Sequence, residues 1–252
     1  MDEHVRVERS GATLAITLNR PERRNAITIA MYAALADAIE SVADDKDVRL
    51  ITIAGEGQDF AAGNDLADFL EAAPRLDEEI PVWRFLRKLA GCEIPIVAAV
   101  QGNCVGIGTT MLLHCDLVIA EEGARFSLPF VDLGLVPEAA SSLLLPRLAG
   151  QRHASRLLLL CEPVGAEEAR ELGIVSHVVG AGGGREALAN IVDQLLAKPA
   201  EALRITRGLL RQGSGEEVLE RMRLESGMFA ERLASDEVKQ AIGAFFAARA
   251  KA

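Results

Sequence analysis

The sequence predicts an α/β fold for most of the chain and a helical region at its C-terminal end. Three short apolar runs, at residues 48–54, 94–100 and 117–120, lack polar alternation and suit strands of a sheet covered on both faces. Helix-length segments separate these runs, and in the last quarter of the chain the apolar residues recur only at helical spacing. We expect a strand–helix core over residues 1–185 and a C-terminal helical region over residues 186–252.

Local patterns predict the elements around these strands. Residues 13–18 alternate with a period of two, which is typical of a half-buried strand. Thr28 carries the hydroxyl group of a helix N-cap, and apolar residues at helical spacing follow it. Pro199 and a later Gly-Ser-Gly turn separate the C-terminal helices. Their apolar faces need a surface to pack on, for which a neighbouring subunit is a candidate.

The composition excludes several classes of protein. Half of the 252 residues are hydrophobic, which excludes a disordered chain. No stretch approaches the about 20 uninterrupted apolar residues of a transmembrane helix. The 27 Lys and Arg against 37 Asp and Glu give a net charge of −10, so neither nucleic acid nor an anionic membrane is expected as the main partner. The N-terminus lacks the basic start and apolar run of a secretory signal, and we expect a cytoplasmic protein.

Cysteine and histidine usage predicts neither disulfides nor a metal centre. The four cysteines are irregularly spaced in apolar sequence, as expected for buried free thiols in a reducing compartment. The four histidines show no spacing typical of metal ligands. We therefore expect no bound metal.

Three glycine-rich segments lie between a predicted strand and a predicted helix. Residues 182–187 match the Gly-x-Gly-x-x-Ala pattern of dinucleotide sites, but no second strand with an acidic ribose partner follows, so we interpret them as a flexible connector. Residues 55–66 and 102–110 place small residues at a helix N-terminus, where backbone N–H groups lack partners within the helix. Two such junctions, each at the end of a strand, can direct two N–H groups at one oxygen atom.

Ordered motifs give the chain a family resemblance. They are residues 19–26 (NRPERRNA), 60–66 (FAAGNDL), 95–102 (PIVAAVQG), 106–108 (GIG), 115–116 (CD) and 126–130 (FSLPF). With these motifs the chain resembles the crotonase, or enoyl-CoA hydratase/isomerase, superfamily over nearly its whole length. The resemblance implies an α/β spiral of strand–helix repeats, with a C-terminal helical region that mediates homotrimers, often paired into hexamers. It also implies acyl-CoA thioester substrates, with coenzyme A as part of the substrate and no separate cofactor.

Two positions match the oxyanion hole of that family. The family holds the enolate of its thioester with two backbone N–H groups, which here are those of Asn64 and Ile107. Removal of a proton next to a thioester carbonyl leaves charge on the carbonyl oxygen, and each fixed donor stabilises that charge by about 3–4 kcal/mol. Similar hydratases carry glutamates at the positions of Thr110 and Phe130. Hydration needs one group for the water and one for the α-proton, so the loss of both acids argues against ordinary hydratase chemistry.

A different acid is available at Glu138. Residues 129–142 resemble the peroxisomal-type Δ3,Δ2-enoyl-CoA isomerases, whose catalytic glutamate corresponds to Glu138. One carboxylate is enough for a double-bond shift, because it removes a proton at C2 and returns one at C4, and apolar surroundings would raise its pKa towards the working range. The alternative interpretation makes Glu138 a charge at a helix N-terminus. Asp132 and Asp65 are the other candidate acids, and Asp65 fits better as a first-turn helix charge or a polar group of the ligand pocket.

The resemblance also implies contacts with coenzyme A. Its phosphates call for basic groups, and among Arg20, Arg23 and Arg24 we prefer Arg24, because it adjoins the segment where the family contacts the CoA moiety. The alternative is a solvated basic turn. The further expected contacts are Ala26, Ala62, Asp65, Leu66 and Val105, with Phe246 and Arg249 as candidates from a neighbouring subunit.

Three hypotheses for function follow. The leading one is a Δ3,Δ2-enoyl-CoA isomerase with Glu138 as its base. The second is an enoyl-CoA hydratase of unusual design, or another enolate chemistry such as thioester hydrolysis, on the same scaffold. The third is a non-catalytic acyl-CoA-binding relative.

Overall fold

The computed structural model describes residues 3–68, 80–213 and 215–249, and within them two β-sheets are surrounded by helices. In the larger sheet an antiparallel pair at one edge is followed by parallel strands. Its strands in spatial order are β1 (Val5–Ser10), β2 (Thr13–Leu18), β3 (Leu50–Gly55), β4 (Ile96–Val100), β6 (Leu117–Glu121) and β9 (His177–Val179).

The smaller sheet joins three short strands. The first two pair in parallel and the third is antiparallel to the second. These strands are β5 (Asn103–Val105), β7 (Arg125–Ser127) and β8 (Val164–Gly165). Because β5 begins directly after the turn that ends β4, the smaller sheet continues the chain from the carboxyl edge of the larger one.

The helices connect the strands and then form the C-terminal region. They are α1 (Ile29–Glu40), α2 (Pro81–Gly91), α3 (Ile107–Thr110), α4 (Ser141–Ala149), α5 (Gln151–Leu159), α6 (Ala166–Glu171), α7 (Gly184–Leu196), α8 (Ala200–Arg211), α9 (Gly215–Leu233) and α10 (Asp236–Arg249).

Aromatic contacts tie the helices to one another. Helices α1 and α2 pack together, with the rings of Tyr32 and Phe85 5.7 Å apart. On the other side of α2, the ring of Trp83 meets Phe229 of α9 edge-on at 6.2 Å. The C-terminal region is therefore packed against the strand–helix core within the same chain.

Most elements predicted from sequence are present. Strand β2 has the predicted bounds, and the three apolar runs form β3, β4 and β6. The hydroxyl group of Thr28 caps α1 by accepting a hydrogen bond from the N–H of Met31 at 3.2 Å. Strand β1 was not predicted, because it lies at a sheet edge and its charged side chains hide the period-two pattern. The boundary near residue 185 stays a prediction.

The glycine-rich segment before α7 is a connector, as expected. The carboxylate of Glu121 accepts hydrogen bonds from the N–H groups of Gly182 and Gly184, at 3.0 and 3.2 Å. A side chain of the protein itself thus occupies the position that an anion would take at the start of α7. The dinucleotide interpretation has no support here.

The cysteines are free thiols in the described segments. Cys104 and Cys161 are buried, whereas Cys92 and Cys115 are only partly buried. The expectation of burial therefore holds for two of the four. In the same segments, no helix combines the length and the apolar character that crossing a bilayer requires.

The loops that follow β3 and β4 run side by side beyond the end of the sheet. Ala61 and Cys104 form a parallel bridge, in which the N–H of Ala61 donates to the carbonyl of Asn103 at 3.1 Å and the N–H of Val105 donates to the carbonyl of Ala61 at 2.9 Å. Because the carboxyl ends of neighbouring parallel strands meet at one edge, the two glycine-rich junctions become neighbours there.

Two buried polar side chains hold these loops together. The side-chain amide of Asn25 donates to the carbonyls of Glu56 and Asp59 at 2.9 and 2.8 Å. One carboxylate oxygen of Asp59 in turn accepts from the backbone and side-chain nitrogens of Asn103, at 2.8 and 2.6 Å. These contacts fix the spacing of three segments that are far apart in the chain.

Gly102→Ala tests this loop packing. Gly102 has a φ of +55°, and an added Cβ would lie 2.0 Å from the carbonyl oxygen of Gln58. We expect a loss of about 2–5 kcal/mol in the free energy of unfolding, measured by urea denaturation, from the clash and the left-handed backbone. Gly123→Ala is the matched control, because a Cβ there meets no atom within 4 Å. Equal stability of the two variants would contradict the close approach.

Candidate active site

A cavity of about 930 Å³ lies between the loops that follow β3 and β4 and the C-terminal helices α9 and α10. Its walls contain both glycine-rich junctions. Eight of the residues predicted to form the site line it: Arg24, Ala26, Ala62, Asn64, Asp65, Leu66, Val105 and Ile107.

Two backbone amides in the cavity wall have equivalent positions. Asn64 and Ile107 each lie three residues after the bridged pair of Ala61 and Cys104. Each directly follows a glycine with a left-handed φ, +89° at Gly63 and +54° at Gly106. Within the described part of the chain, no hydrogen bond uses the N–H of Asn64 or of Ile107. The loops therefore place two donors without partners beside the same cavity.

The side chain of Asn64 is held by a residue that the sequence analysis missed. The hydroxyl group of Tyr32 in α1 donates to Oδ1 of Asn64 at 2.5 Å. Burial, together with the negative charge of Glu138, raises the pKa of Tyr32, so the phenol stays a neutral donor. No motif signals this contact, because the two residues belong to different elements.

Glu138 is buried and is not one of the residues that line the cavity. Only 4% of the residue is exposed. The hydroxyl group of Thr110, the last residue of α3, donates to Oε1 of Glu138 at 2.5 Å. Oε2 has no hydrogen-bond partner among the described residues. Burial raises the pKa of Glu138 to about 8, although the hydrogen bond from Thr110 lowers it, and the charge of Glu225 raises it further.

The structure does not support the alternative role of Glu138 as a helix charge. The nearest helix, α4, has Ala140 as its N-cap, and the carboxylate that accepts hydrogen bonds from its first amides belongs to Glu225. Glu138 thus makes none of the contacts that a helix-terminal charge would make.

The turn after Glu138 is constrained on several sides. Ala139 and Ala140 have φ values of +58° and +56°. Nε2–H of His114 donates to the carbonyl of Ala139 at 2.8 Å, which fixes the histidine tautomer. Burial lowers the pKa of His114 to about 4, so the ring is neutral. His114 therefore holds the backbone directly after Glu138.

Asp65 lines the cavity, but its carboxylate is already paired. Nη1 of Arg20 donates to Oδ2 of Asp65 at 2.8 Å. Partial burial opposes ionisation of Asp65, but the hydrogen bonds from Arg20 and from the backbone of Asp68 prevail and lower its pKa. Asp65 is therefore not available as a free base, whereas its place in the cavity wall and the hydrogen bond from the N–H of Asp68 fit the preferred roles of pocket polar group and helix-start charge. The pairing also removes Arg20 from the candidates for phosphate binding.

The remaining charged candidates lie at the edge of the cavity. Arg23 and Arg24 line it, and 63% of the Arg24 side chain is exposed, with Nε 3.9 Å from Asp59. Asp132, in the turn Val131–Leu133, also lines the cavity and is exposed. Arg24 is therefore accessible to an anionic ligand, and Asp132 stays a candidate acid.

One wall of the cavity was hardly anticipated. Phe229 of α9 and Phe246 of α10 line it within the same chain, whereas Phe246 was a candidate contact from a neighbouring subunit. The side chain of Arg249 lies outside the described residues. The apolar lining from the turn at 129–135 and the C-terminal helices is Pro129, Phe130, Leu133, Leu135, Phe229, Ala241, Ala244 and Phe246.

The site has no arrangement typical of a metal centre. Within residues 3–68, 80–213 and 215–249, no group of three or more His, Cys, Asp or Glu could hold a metal ion. The polar atoms that face the cavity or lie next to it are amides, hydroxyl groups, carboxylates and guanidinium groups.

Comparisons with known proteins agree on one family. The sequence signature described as enoyl-CoA hydratase/isomerase matches residues 8–251. The chain is 35% identical to 1,2-epoxyphenylacetyl-CoA isomerase of Escherichia coli K12, over 94% of this chain and 92% of that protein. It is 32% identical to 2,3-dehydroadipyl-CoA hydratase of the same organism, over 96% of this chain and 95% of that protein.

A solved structure supports the same fold. The enoyl-CoA hydratase/isomerase from Pseudoalteromonas atlantica T6c superposes with a TM-score of 0.91 and is 40% identical. The match covers 97% of both chains. The α/β spiral with a C-terminal helical region, expected from the sequence, is confirmed.

Glu138→Gln tests the electrostatics of this site through stability. Between the usual pKa of 4.5 and about 8, the folded protein retains a proton that the unfolded chain releases. The free energy of unfolding of the wild type therefore decreases as the pH rises through this window. Gln does not titrate, so we expect the variant to gain stability relative to the wild type between about pH 5 and about pH 9, by on the order of a few kcal/mol. Urea unfolding at each pH measures this, and a difference independent of pH would contradict it.

Proposed function

The chain belongs to the enoyl-CoA hydratase/isomerase family of acyl-CoA enzymes, and we propose that it is a Δ3,Δ2-enoyl-CoA isomerase with Glu138 as its base. The observation that carries the proposal is the buried carboxyl group of Glu138, whose Oε1 accepts from Thr110 in the short helix that begins at Ile107. Its Oε2 has no hydrogen-bond partner among the described residues, and its pKa is about 8. A group with a pKa near neutrality can both remove and return a proton.

The two amides explain how the thioester is activated. Removal of a C2 proton moves the electrons of the C–H bond into a C1–C2 double bond and places negative charge on the thioester oxygen. The N–H groups of Asn64 and Ile107 are fixed before the reaction, so they stabilise this charge without reorganising. Tyr32 contributes by holding the side chain of Asn64.

Glu138 accounts for both proton transfers. Its carboxylate takes the proton from C2 of a 3-enoyl thioester, and the charge spreads over a dienolate that extends to C4. The protonated acid then donates to C4, which leaves the double bond between C2 and C3, so protons and electrons balance. Oε2 is the atom for these transfers, because Thr110 holds Oε1. Acid–base contacts often close only when substrate binds, which is compatible with a carboxyl group that does not line the cavity.

The cavity also suits the other parts of such a substrate. Arg24 offers an exposed cation for a CoA phosphate, despite the net charge of −10. Ala26, Ala62, Leu66 and Val105 provide small or apolar contacts for the pantetheine arm. The apolar lining from the turn at 129–135 and the C-terminal helices suits the acyl chain. Coenzyme A enters as part of the substrate, and the proposed reaction requires no separate cofactor.

Hydration is the second candidate function. It is favoured by the similarity to an enzyme named as a hydratase. It is disfavoured by Thr110 and Phe130, which stand where similar hydratases carry glutamates. The similarity to an enzyme named as an isomerase supports the leading proposal, but only at the level of the reaction class. The same limit holds for its support of the peroxisomal-type subgroup resemblance.

Assembly and location complete the proposal. Leu209 and Leu210 of α8 and Leu224 and Met228 of α9 are large apolar side chains that remain exposed in the single chain. Such a surface supports the homotrimer, or hexamer, that the family resemblance implies. The free thiols are consistent with the reducing conditions of the cytoplasm.

Glu138→Gln also tests the reaction. We expect isomerisation of a 3-enoyl-CoA to fall by about 10²- to 10⁴-fold, because the base is lost, while binding of the CoA ester stays near normal. Turnover is followed by formation of the conjugated 2-enoyl thioester, and binding by calorimetry. Asp132→Asn removes the other candidate acid and should retain most of the activity. Full activity of E138Q would exclude Glu138 as the base, as would a loss of activity that occurs only in D132N. In a separate assay, formation of a 3-hydroxyacyl product from crotonyl-CoA would favour hydration.

The pH profile tests the state of the same group. Since the carboxylate form is the base, kcat/KM should rise with pH and level off above a midpoint near 8. Thr110→Val removes the hydrogen bond that lowers the pKa of Glu138, so the midpoint should move to higher pH, and Thr110→Ser should restore it. A midpoint near the ordinary pKa of glutamate, or one unchanged in T110V, would contradict this assignment.

A further inference from the structure

Glu225 is a buried carboxylate of α9 that the reaction described above does not use. We propose that Glu225 is a positioning residue, which holds the turn that carries Glu138 and so lets the C-terminal helical region fix the orientation of the base. The inference rests on the proposed role of Glu138.

Glu225 caps α4 from a distant part of the chain. The N–H of Ala140 donates to Oε2 of Glu225 at 2.6 Å. The N–H and the hydroxyl group of Ser142 donate to Oε1 at 3.0 and 2.5 Å. Ala140 and Ser142 lie at the start of α4, where amides lack partners within the helix. Arg221, one turn earlier on α9, also donates to the hydroxyl group of Ser142, at 3.1 Å.

The turn that Glu225 holds is one that alanine does not adopt readily. Two consecutive alanines, Ala139 and Ala140, have left-handed backbone conformations, so surrounding contacts must impose them. His114 holds the carbonyl of Ala139, and the N–H and hydroxyl group of Ser141 donate to the carbonyl of Glu138 at 3.0 and 2.6 Å. Among these contacts, the one that comes from the C-terminal region is that of Glu225. Its removal would free the turn on that side.

The charge of Glu225 also acts on Glu138. Glu225 accepts three hydrogen bonds and donates none, which suits a carboxylate; burial raises its pKa, and the hydrogen bonds from Ser142 and Ala140 oppose that effect. The other ionisable groups around the base are the neutral phenol of Tyr32 and the neutral ring of His114, while Arg221 is bonded to Ser142. The like charge of Glu225 therefore adds to burial in raising the pKa of Glu138.

Glu225→Gln separates this role from simple helix capping. Measured on the full chain with a 3-enoyl-CoA, the high-pH plateau of kcat should fall about 10- to 100-fold, because a small misplacement of the base is costly, while KM changes little. The midpoint of the pH profile should move to lower pH, because a like charge is lost. A role confined to capping would lower the stability of α4 and leave the plateau unchanged.

Glu217→Gln is the matched control. Glu217 also lies on α9 and pairs with Arg147 of α4, at 2.5 Å, but it does not contact the turn after Glu138. This variant should keep the wild-type profile, although it too loses an α9–α4 contact. An unchanged plateau in folded E225Q would overturn the proposal, as would a lowered plateau or a shifted midpoint in E217Q.

Ser142→Ala covers the case in which E225Q does not fold. It keeps the charge of Glu225 and removes the hydroxyl donor, so the plateau should fall without a downward shift of the midpoint. A wild-type plateau in S142A would then overturn the proposal.

A titration without turnover separates this inference from the proposed function. ¹³C NMR of the glutamate side chains, with the Glu138 signal identified by its loss in E138Q, follows the pKa of Glu138 directly. Activity of E138Q would exclude Glu138 as the base, whatever the effect of Glu225. If E138Q is inactive, and E225Q changes neither the ¹³C midpoint of Glu138 nor the kcat plateau, only the role of Glu225 is excluded.

Discussion

The candidate site depends on the parallel pairing of two loops beyond the end of the main sheet. The bridge between Ala61 and Cys104 keeps the loops in register, and three residues later each loop offers a backbone amide that has no partner among the described residues. A left-handed glycine before each donor releases it from the pairing. Because the donors are backbone groups, Asn64 and Ile107 need no particular side chain for this purpose. The geometry is a property of the strand order and of the glycine before each donor, and not of the donors' own side chains.

Two buried glutamates illustrate how the environment divides the tasks of one residue type. Glu225 receives three hydrogen bonds at the start of a helix, and they oppose the rise in its pKa that burial causes. Glu138 receives one, from Thr110, and burial without further compensation raises its pKa to about 8. The group with fewer partners is the one that can exchange a proton. Pairs of acids with such different surroundings are typical of sites that carry out acid–base chemistry.

The elements that the sequence predicted are those with a local pattern of residues. Strands β2, β3, β4 and β6 and the cap of α1 have local patterns and were predicted, whereas the edge strand β1, with charged side chains, was not. For the site, eight residues that line one cavity were chosen from motifs, but the ion pair of Asp65 with Arg20 was not predicted. That pair spans 45 residues, beyond the range of any local pattern.

By itself, the sequence determined the strand–helix order, the two glycine-rich junctions and the acid at position 138, because periodicity and residue type are local properties. Only the tertiary structure decided which groups surround that acid. The contacts of Thr110 with Glu138 and of Tyr32 with Asn64 span 28 and 32 residues, and that of Ala140 with Glu225 spans 85. Burial and hydrogen bonding set the proton affinity of a carboxyl group, and both arise only when distant segments are packed together.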